Sequence, residues 1–260
     1  MEFKFTWIIV QLLVAFQVSS TFGFEHVIPR GLNNKPTRVI GGVTVIDTLL
    51  VRAAQAFARE NSEAYLYNHV MRTWLFGALI ISHNTTLQHS VDLEVHAIGS
   101  ILHDLGLVLN ATWISHDLRF EVDSSNRATQ FVEETAKHHG TSSAWDANRL
   151  QLLYDAILLS SEPKFSLYKQ ATVKVLVEGV LLDLGKPDYG VTAAEYQGVE
   201  AAFPPLNFIT GVNHTLVQLC VQKPSTTYDS WQQAFGDAYV PGYTPVGRFV
   251  DIFNPKTPSS

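Results

Sequence analysis

The chain has 260 residues, of which 46% are apolar, and it carries a formal net charge of −6 at pH 7. This length and composition suffice for one domain with a sizeable core, and the acidic balance provides no basic surface for nucleic acid. Cys220 is the only cysteine, which excludes an internal disulfide. Because it lies in an apolar stretch, we expect a buried and inert thiol.

The first 23 residues have the pattern of a secretory signal peptide. Lys4 precedes an apolar run over residues 7–16, and small residues follow near Gly23. That run is too short for a membrane span of about 20 residues, and no later segment is long and uncharged enough. We therefore expect a protein without a membrane span, secreted or held in the secretory-pathway lumen. Its expected glycan acceptors are Asn84, Asn110 and Asn213.

The remaining chain predicts an all-α fold with irregular ends. Residues 24–42 contain two prolines and the pair Gly41-Gly42, which is typical of an irregular arm. From about Val45, apolar residues recur at intervals of three and four, which predicts helices. Thr192 followed three residues later by Glu195 predicts a capping box at the start of one of them. These helices are expected over residues 65–81, 93–107, 128–136, 144–159, 166–182, 193–201 and 206–222. One helical domain would span residues 43–244, before a proline-rich tail at 245–260; the oligomeric state is not indicated.

Three of these predicted helices carry residues that suit a divalent metal. His69 is followed by the dipeptide His103-Asp104 and then by Asp183 in an apolar stretch. Successive helical residues are about 100° apart, so His103 and Asp104 could both approach one ion. Imidazole and carboxylate ligands suit zinc, iron, manganese or nickel, and the lack of thiolates argues against a closed structural zinc site. The alternative is that these histidines are ordinary core residues.

Five segments carry a resemblance to a known family. They read YLYNHVMRTWLFG, ILHDLGL, RFEVDSSNRATQFV, VEGVLLDLGKP and QKPSTTYDSWQQAFGDAYVPGY. In this order they resemble the HD-domain superfamily, and more narrowly its fungal cyanamide hydratase-like branch. The resemblance implies an HD-type helical bundle and a lyase that adds water to a nitrile-like carbon. It also implies a metal, with zinc favoured, whose ligands are His69, His103, Asp104 and Asp183, with Asp104 doubling as a proton carrier.

Departures from the family pattern fall around the expected pocket rather than on the ligands. Ser160 stands near the place where the family has a histidine, and Pro205 stands where it tends to have an arginine. A small Gly-Ala pair is replaced by Ser124-Ser125. We therefore expect the metal site to persist while the substrate has become a larger and more apolar organic molecule of secondary metabolism. Cyanamide hydration is expected to be weak or absent.

Other residues near the motifs are candidates for the substrate pocket. These are Trp74, His96, Glu121 and Ser160, with Asp123 as a further catalytic candidate that could orient water or accept a proton. Each has a plainer alternative. His96 could be a core histidine, Asp123 could be the N-cap of a helix, and Trp74 could be ordinary core packing.

Two other classes of function remain open. A metal-dependent phosphohydrolase would need cationic clamps for phosphate, and the lysines show no glycine-rich cradle or clustered arginine. A cyclase, isomerase or binding protein on the same scaffold is the other alternative, because a metal site can survive as a structural element. All of these readings imply a small-molecule partner.

Overall fold

A computed structural model describes residues 35–185 and 187–253. The predicted signal peptide and residues 254–260 lie outside this range. The described chain is mostly helical, which confirms the all-α class at that level, with one small hairpin as the exception. Its elements are β1 Thr37–Ile40, β2 Val43–Ile46, α1 Leu49–Asn61, α2 Ala64–Ser82, α3 Thr85–Ser90, α4 Leu93–Leu102, α5 Phe120–His138, α6 Ala147–Leu158, α7 Pro163–Ser166, α8 Ala171–Asp183, α9 Ala193–Ala202, α10 Phe208–Gln222, α11 Gln233–Tyr239 and α12 Phe249–Phe253.

The predicted irregular arm is wrong in its last part, because residues 37–46 form an antiparallel hairpin. Ile40 pairs with Val43, which leaves Gly41 and Gly42 as a two-residue turn. Both glycines have positive φ, at 55° and 83°, which is the backbone that such a tight hairpin turn requires. Val45 therefore lies in a strand, and the first helix begins at Leu49.

Helix α2 is the centre of the molecule and is buried on nearly all sides. Such a helix is apolar all round, because every face has a neighbour. Its closest approach is to α8: a Cβ added at Gly179 would lie 2.5 Å from the carbonyl oxygen of Thr73. Only glycine allows the two backbones to pack at this distance. The contact fixes α8, and hence Asp183 at its end, against α2.

Helix α4 ends just before the His103-Asp104 dipeptide. It stops at Leu102, so His103 is its C-cap and Asp104 starts a short 3-10 turn over Leu105–Leu107. Both residues were expected on one helix, and this expectation is wrong. The helix ends here because the chain must approach α5 closely at Gly106. A Cβ at this residue would lie 2.0 Å from the carbonyl oxygen of Phe120. The chain turns at this point to pass closely under α5.

The start of α5 corrects a second expectation. Its N-cap is Arg119, so Asp123 belongs to the first turn and does not cap the helix. Instead, the Asp123 carboxylate forms a buried ion pair of 2.7 Å with Lys223, next to the end of α10. This pair ties α5 to the segment that follows α10.

Other local expectations are confirmed. Thr192 and Glu195 form a capping box at the start of α9, with both reciprocal hydrogen bonds present. Cys220 is buried and has no disulfide partner, and burial raises the pKa of its thiol. Among the described residues, no helix combines the length and apolar character that a membrane crossing needs.

Candidate metal centre

Two histidines and one aspartate meet between α2 and the end of α4. His69 lies on α2, and His103 and Asp104 follow α4. Oδ2 of Asp104 lies 3.4 Å from Nε2 of His69, and Oδ1 lies 3.4 Å from Nε2 of His103. All three residues are buried, and one ligand atom from each lies within 4.8 Å of the others. This histidine–aspartate group could hold a metal ion.

Hydrogen bonds fix which ring nitrogens carry protons. Nδ1 of His103 lies 2.8 Å from the carbonyl oxygen of Ser100. Since a carbonyl oxygen only accepts, this nitrogen is the N–H donor, and Nε2 keeps its lone pair. In the same way, Nδ1 of His69 donates to Oδ2 of Asp183 at 2.6 Å. Burial also lowers the pKa of His103, which keeps that ring neutral.

The group is therefore rich in lone pairs. Nε2 of His103 and Nε2 of His69 both face the carboxylate of Asp104, and a cation between the three groups would interact favourably with all of them. Two imidazole nitrogens and one carboxylate oxygen form a donor set that suits zinc, and also iron, manganese or nickel. The residues present thus fit a divalent cation. Their Nδ1 partners, a carbonyl and a carboxylate, are of the kind that orient metal-binding histidines.

Asp183, the fourth residue of the predicted ligand set, contacts the other nitrogen of His69. Its carboxylate accepts from that ring and from Nε and Nη2 of Arg72, the latter at 2.8 Å. Burial would raise the pKa of Asp183, but the hydrogen bonds from His69 and Arg72 hold it below its usual value. The carboxylate is therefore ionised and orients His69. Direct coordination by Asp183 stays a prediction.

Arg72 is a residue that the sequence analysis missed. It is 1% exposed, and besides Asp183 it donates to the carbonyl oxygen of Phe203 at 3.0 Å. From α2, Arg72 thus reaches the segment that precedes Pro205. The only sequence signal was a cation in the middle of an apolar helix, which requires a buried anion as its partner.

The histidine–aspartate group forms part of the wall of a cavity of about 220 Å³. Phe208, at the start of α10, stacks on the His69 ring with centroids 4.3 Å apart and planes 18° apart. Trp231 lies edge-on to Phe120 at 6.5 Å on another side. Most of the lining is apolar. The full lining is His69, His103, Asp104, Leu107, Phe120, Ser160, Ser161, Pro163, Val180, Leu181, Leu184, Phe208, Val212, Leu216 and Trp231.

The predicted pocket residues fall in three places. Ser160 lines the cavity, as expected. Trp74 and His96 do not; they line a separate small cavity between β2, α2 and α4, so the placement of these two residues was wrong. Burial alone lowers the pKa of His96 to about 3, which makes it a neutral core histidine.

Glu121 lies behind the cavity wall rather than in it. Its carboxylate accepts from Arg119, from the Ser161 hydroxyl at 2.6 Å and from the Gln232 amide at 2.9 Å. Asp123 is likewise occupied by Lys223. Both carboxylates therefore hold the segment that carries Trp231, and their contacts are structural ones.

Phe208 and Trp231 were not identified from the sequence. Both come from the last quarter of the chain and reach the histidine–aspartate group only through the packing of α10 and the following turn. The one available signal was the QKPSTTYDSWQQAFGDAYVPGY segment, which carried the resemblance without indicating a position for Trp231.

Fold and site together define a mostly helical protein with a buried histidine–aspartate group at an apolar cavity. Comparison with known families and proteins adds no assignment: no family model matches the chain, and no curated protein matches it.

Proposed function

We propose that this protein is a metal-dependent enzyme, a hydro-lyase or hydrolase, that acts on a small neutral organic molecule. The observation that carries the proposal is the buried group of His69, His103 and Asp104 beside an apolar cavity. Polar groups are costly to bury unless they are paired, and a divalent cation would pair all three. An HD-type bundle related to the cyanamide hydratase-like branch is the family that we propose for this fold.

In this proposal, each residue of the site has its own role. His69, His103 and Asp104 would hold the metal, which when bound lowers the pKa of a coordinated water toward neutrality and polarises an acceptor atom. Asp104 has a second carboxylate oxygen and is the candidate proton carrier. Asp183 and Arg72 hold the His69 ring in one tautomer and orientation. Phe208 and the other apolar walls exclude water and position the substrate.

The chemistry of the cavity favours this reading over phosphoryl transfer. Of the described residues that line it, none is a lysine or an arginine. A phosphate would therefore have the proposed metal as its one cationic partner, without the lysine or arginine clamps that phosphate sites typically add. A non-hydrolytic cyclase, isomerase or binding protein would use the same apolar walls without water addition, and it is distinguished by the metal and activity measurements below.

The proposed location is the secretory-pathway lumen or the exterior, and it rests on the N-terminal pattern. Asn84 and Asn110 are exposed, and Asn213 is half-buried. The Asn84 side-chain oxygen accepts from two amides at the start of α3, which leaves its nitrogen available for a glycan. Asn84 and Asn110 are therefore the better candidates. The intact mass of protein from its native host tests both the cleavage near Gly23 and the glycans.

Elemental analysis of protein purified without chelator tests the metal site. We expect about one divalent ion per chain in the wild type, with zinc favoured over iron, manganese or nickel. His103→Ala should lose it, whereas the exposed His138→Ala should retain it as the matched control. A wild type without metal, together with unchanged content in His103→Ala, would contradict the proposal.

Turnover assays on metal-replete protein test the reaction class. The panel contains cyanamide, larger nitriles, neutral amides and esters, and a phosphomonoester as the competing class. We expect the larger apolar nitriles, amides or esters to be better substrates than cyanamide. Robust urea formation from cyanamide by the wild type, with no gain in Ser160→His, would show that the family's histidine is dispensable and that the substrate has not diverged.

A further inference from the structure

Ser160 is a buried polar residue of the cavity wall with no assigned partner. It follows α6, is 2% exposed, and its hydroxyl makes no hydrogen bond within the described chain. A buried hydroxyl that has lost its water without gaining another partner destabilises the fold. The Ser160 oxygen is closed to solvent, so a ligand supplies the missing hydrogen bond when the side chain rotates to another staggered χ1 position.

The neighbouring polar groups are already occupied. Ser161 donates to Glu121 at 2.6 Å and accepts from the Trp231 indole at 3.2 Å. Asp104 faces the two histidine rings at 3.4 Å each. Ser160 is therefore the side chain of this wall that is left to recognise a polar atom of a ligand outside the histidine–aspartate group.

Size and charge limit what the cavity can take. Its volume of about 220 Å³ exceeds the ~150 Å³ of an engineered apolar cavity that accepts benzene. A single ring with a small substituent is therefore of the right size. The described lining offers no lysine or arginine, so away from the histidine–aspartate group an anion would lose its water without gaining a cationic partner.

We propose that the cavity binds a neutral ligand the size of one substituted ring, and that the Ser160 hydroxyl recognises its single hydrogen-bonding substituent. Identification of this ligand with the substrate rests on the proposed function. Binding itself requires neither metal nor turnover, so the two proposals fail separately.

Phenol and toluene are suitable probes because they have equal numbers of heavy atoms and differ in one hydroxyl. Their dissociation constants are measured by ligand-observed NMR on the wild-type chain, Ser160→Ala and Thr73→Val. Thr73 is the matched control, since its hydroxyl is also fully buried and has no hydrogen-bond partner among the described residues, but it does not line the cavity. Val212→Phe adds bulk to the wall and tests where the probes bind.

The expected readout is the ratio of the toluene Kd to the phenol Kd. One hydrogen bond contributes roughly a 2- to 12-fold preference, so Ser160→Ala should lower the ratio by that factor while Thr73→Val leaves it unchanged. Val212→Phe should weaken both probes. An unchanged ratio in Ser160→Ala, no binding to the wild type, or full binding to Val212→Phe would each overturn the inference. A wild type that lacks metal but shows the expected ratio would contradict the proposed function and leave the ligand inference standing.

Discussion

Acid should destabilise this protein through His96. The ring is 1% exposed, and its Nε2 has no hydrogen-bond partner in the described chain. It lies so close to α2 that a Cβ at Gly77 would be 2.2 Å from that nitrogen. The small cavity beside it is lined by Thr44, Trp74 and aliphatic residues, so no described charged group there can stabilise an imidazolium. Burial therefore lowers the pKa of His96 from 6.5 to about 3.

The sign of the effect follows from the two states. Above pH 6.5 the ring is neutral in both the folded and the unfolded chain, and it contributes no pH dependence. Below pH 6.5 the His96 ring binds a proton in the unfolded chain, whereas in the folded chain it stays neutral until about pH 3. At about 1.4 kcal/mol per pH unit, the free energy of unfolding falls by about 2 kcal/mol at pH 5 and by about 4 kcal/mol at pH 3, where the folded ring is itself half protonated.

Urea unfolding at pH 7.5 and pH 5.0 measures this loss, with EDTA present to remove metal-linked protons. The wild type is compared with His96→Leu and with the exposed control His138→Gln. For each chain, only the difference between its free energies of unfolding at the two pH values is compared. The leucine also alters packing, but it does so equally at both pH values. We expect the wild type and His138→Gln to lose about 2 kcal/mol more than His96→Leu. Equal losses in all three chains would refute the assignment of the acid sensitivity to His96.

Three further experiments test the contacts around the site. Asp183→Asn should weaken metal affinity by about 10- to 100-fold in a chelator competition titration, because it loses the charge that orients His69, and unchanged affinity would contradict this role. Gly179→Ala should lower the free energy of unfolding by about 1–3 kcal/mol, since its methyl group meets Thr73, and a neutral effect would argue against the close contact of α2 and α8. Lys223→Met should cost about 3–5 kcal/mol by leaving Asp123 buried and unpaired, and adding Asp123→Leu should recover most of that loss; additive losses would disprove the pairing.

Local signals in the sequence predicted much of the helical framework. Helix α2 and the core of α10 follow from three- and four-residue spacing, and the capping box of α9 follows from two residues. The hairpin was missed because Gly41-Gly42 fits both an irregular arm and a tight turn. Only pairing with residues 43–46 decides between them, and a pairing partner is not a property of the segment itself.

In the candidate site too, local sequence predicted some features and missed others. His69, His103 and Asp104 were identified by residue type and spacing, and they do come together. The contact of Asp183 with Arg72 could not be deduced, because it depends on the close packing of α8 against α2 at Gly179. The cavity lining was predicted least well. Its walls are set by how α10 and the following turn fold back, which no local pattern encodes.

The origin of the cavity walls has an evolutionary consequence. The histidine–aspartate group is encoded within residues 69–104, whereas Leu216 and Trp231 come from the last quarter of the chain. Mutations in that late region can reshape the cavity wall while the hydrogen bonds of the histidine–aspartate group stay intact. Phe208 is the exception, since it stacks on His69 and links the two regions. We expect homologues of this protein to differ in ligand preference through substitutions in this late region. The histidine–aspartate group would stay the same in them.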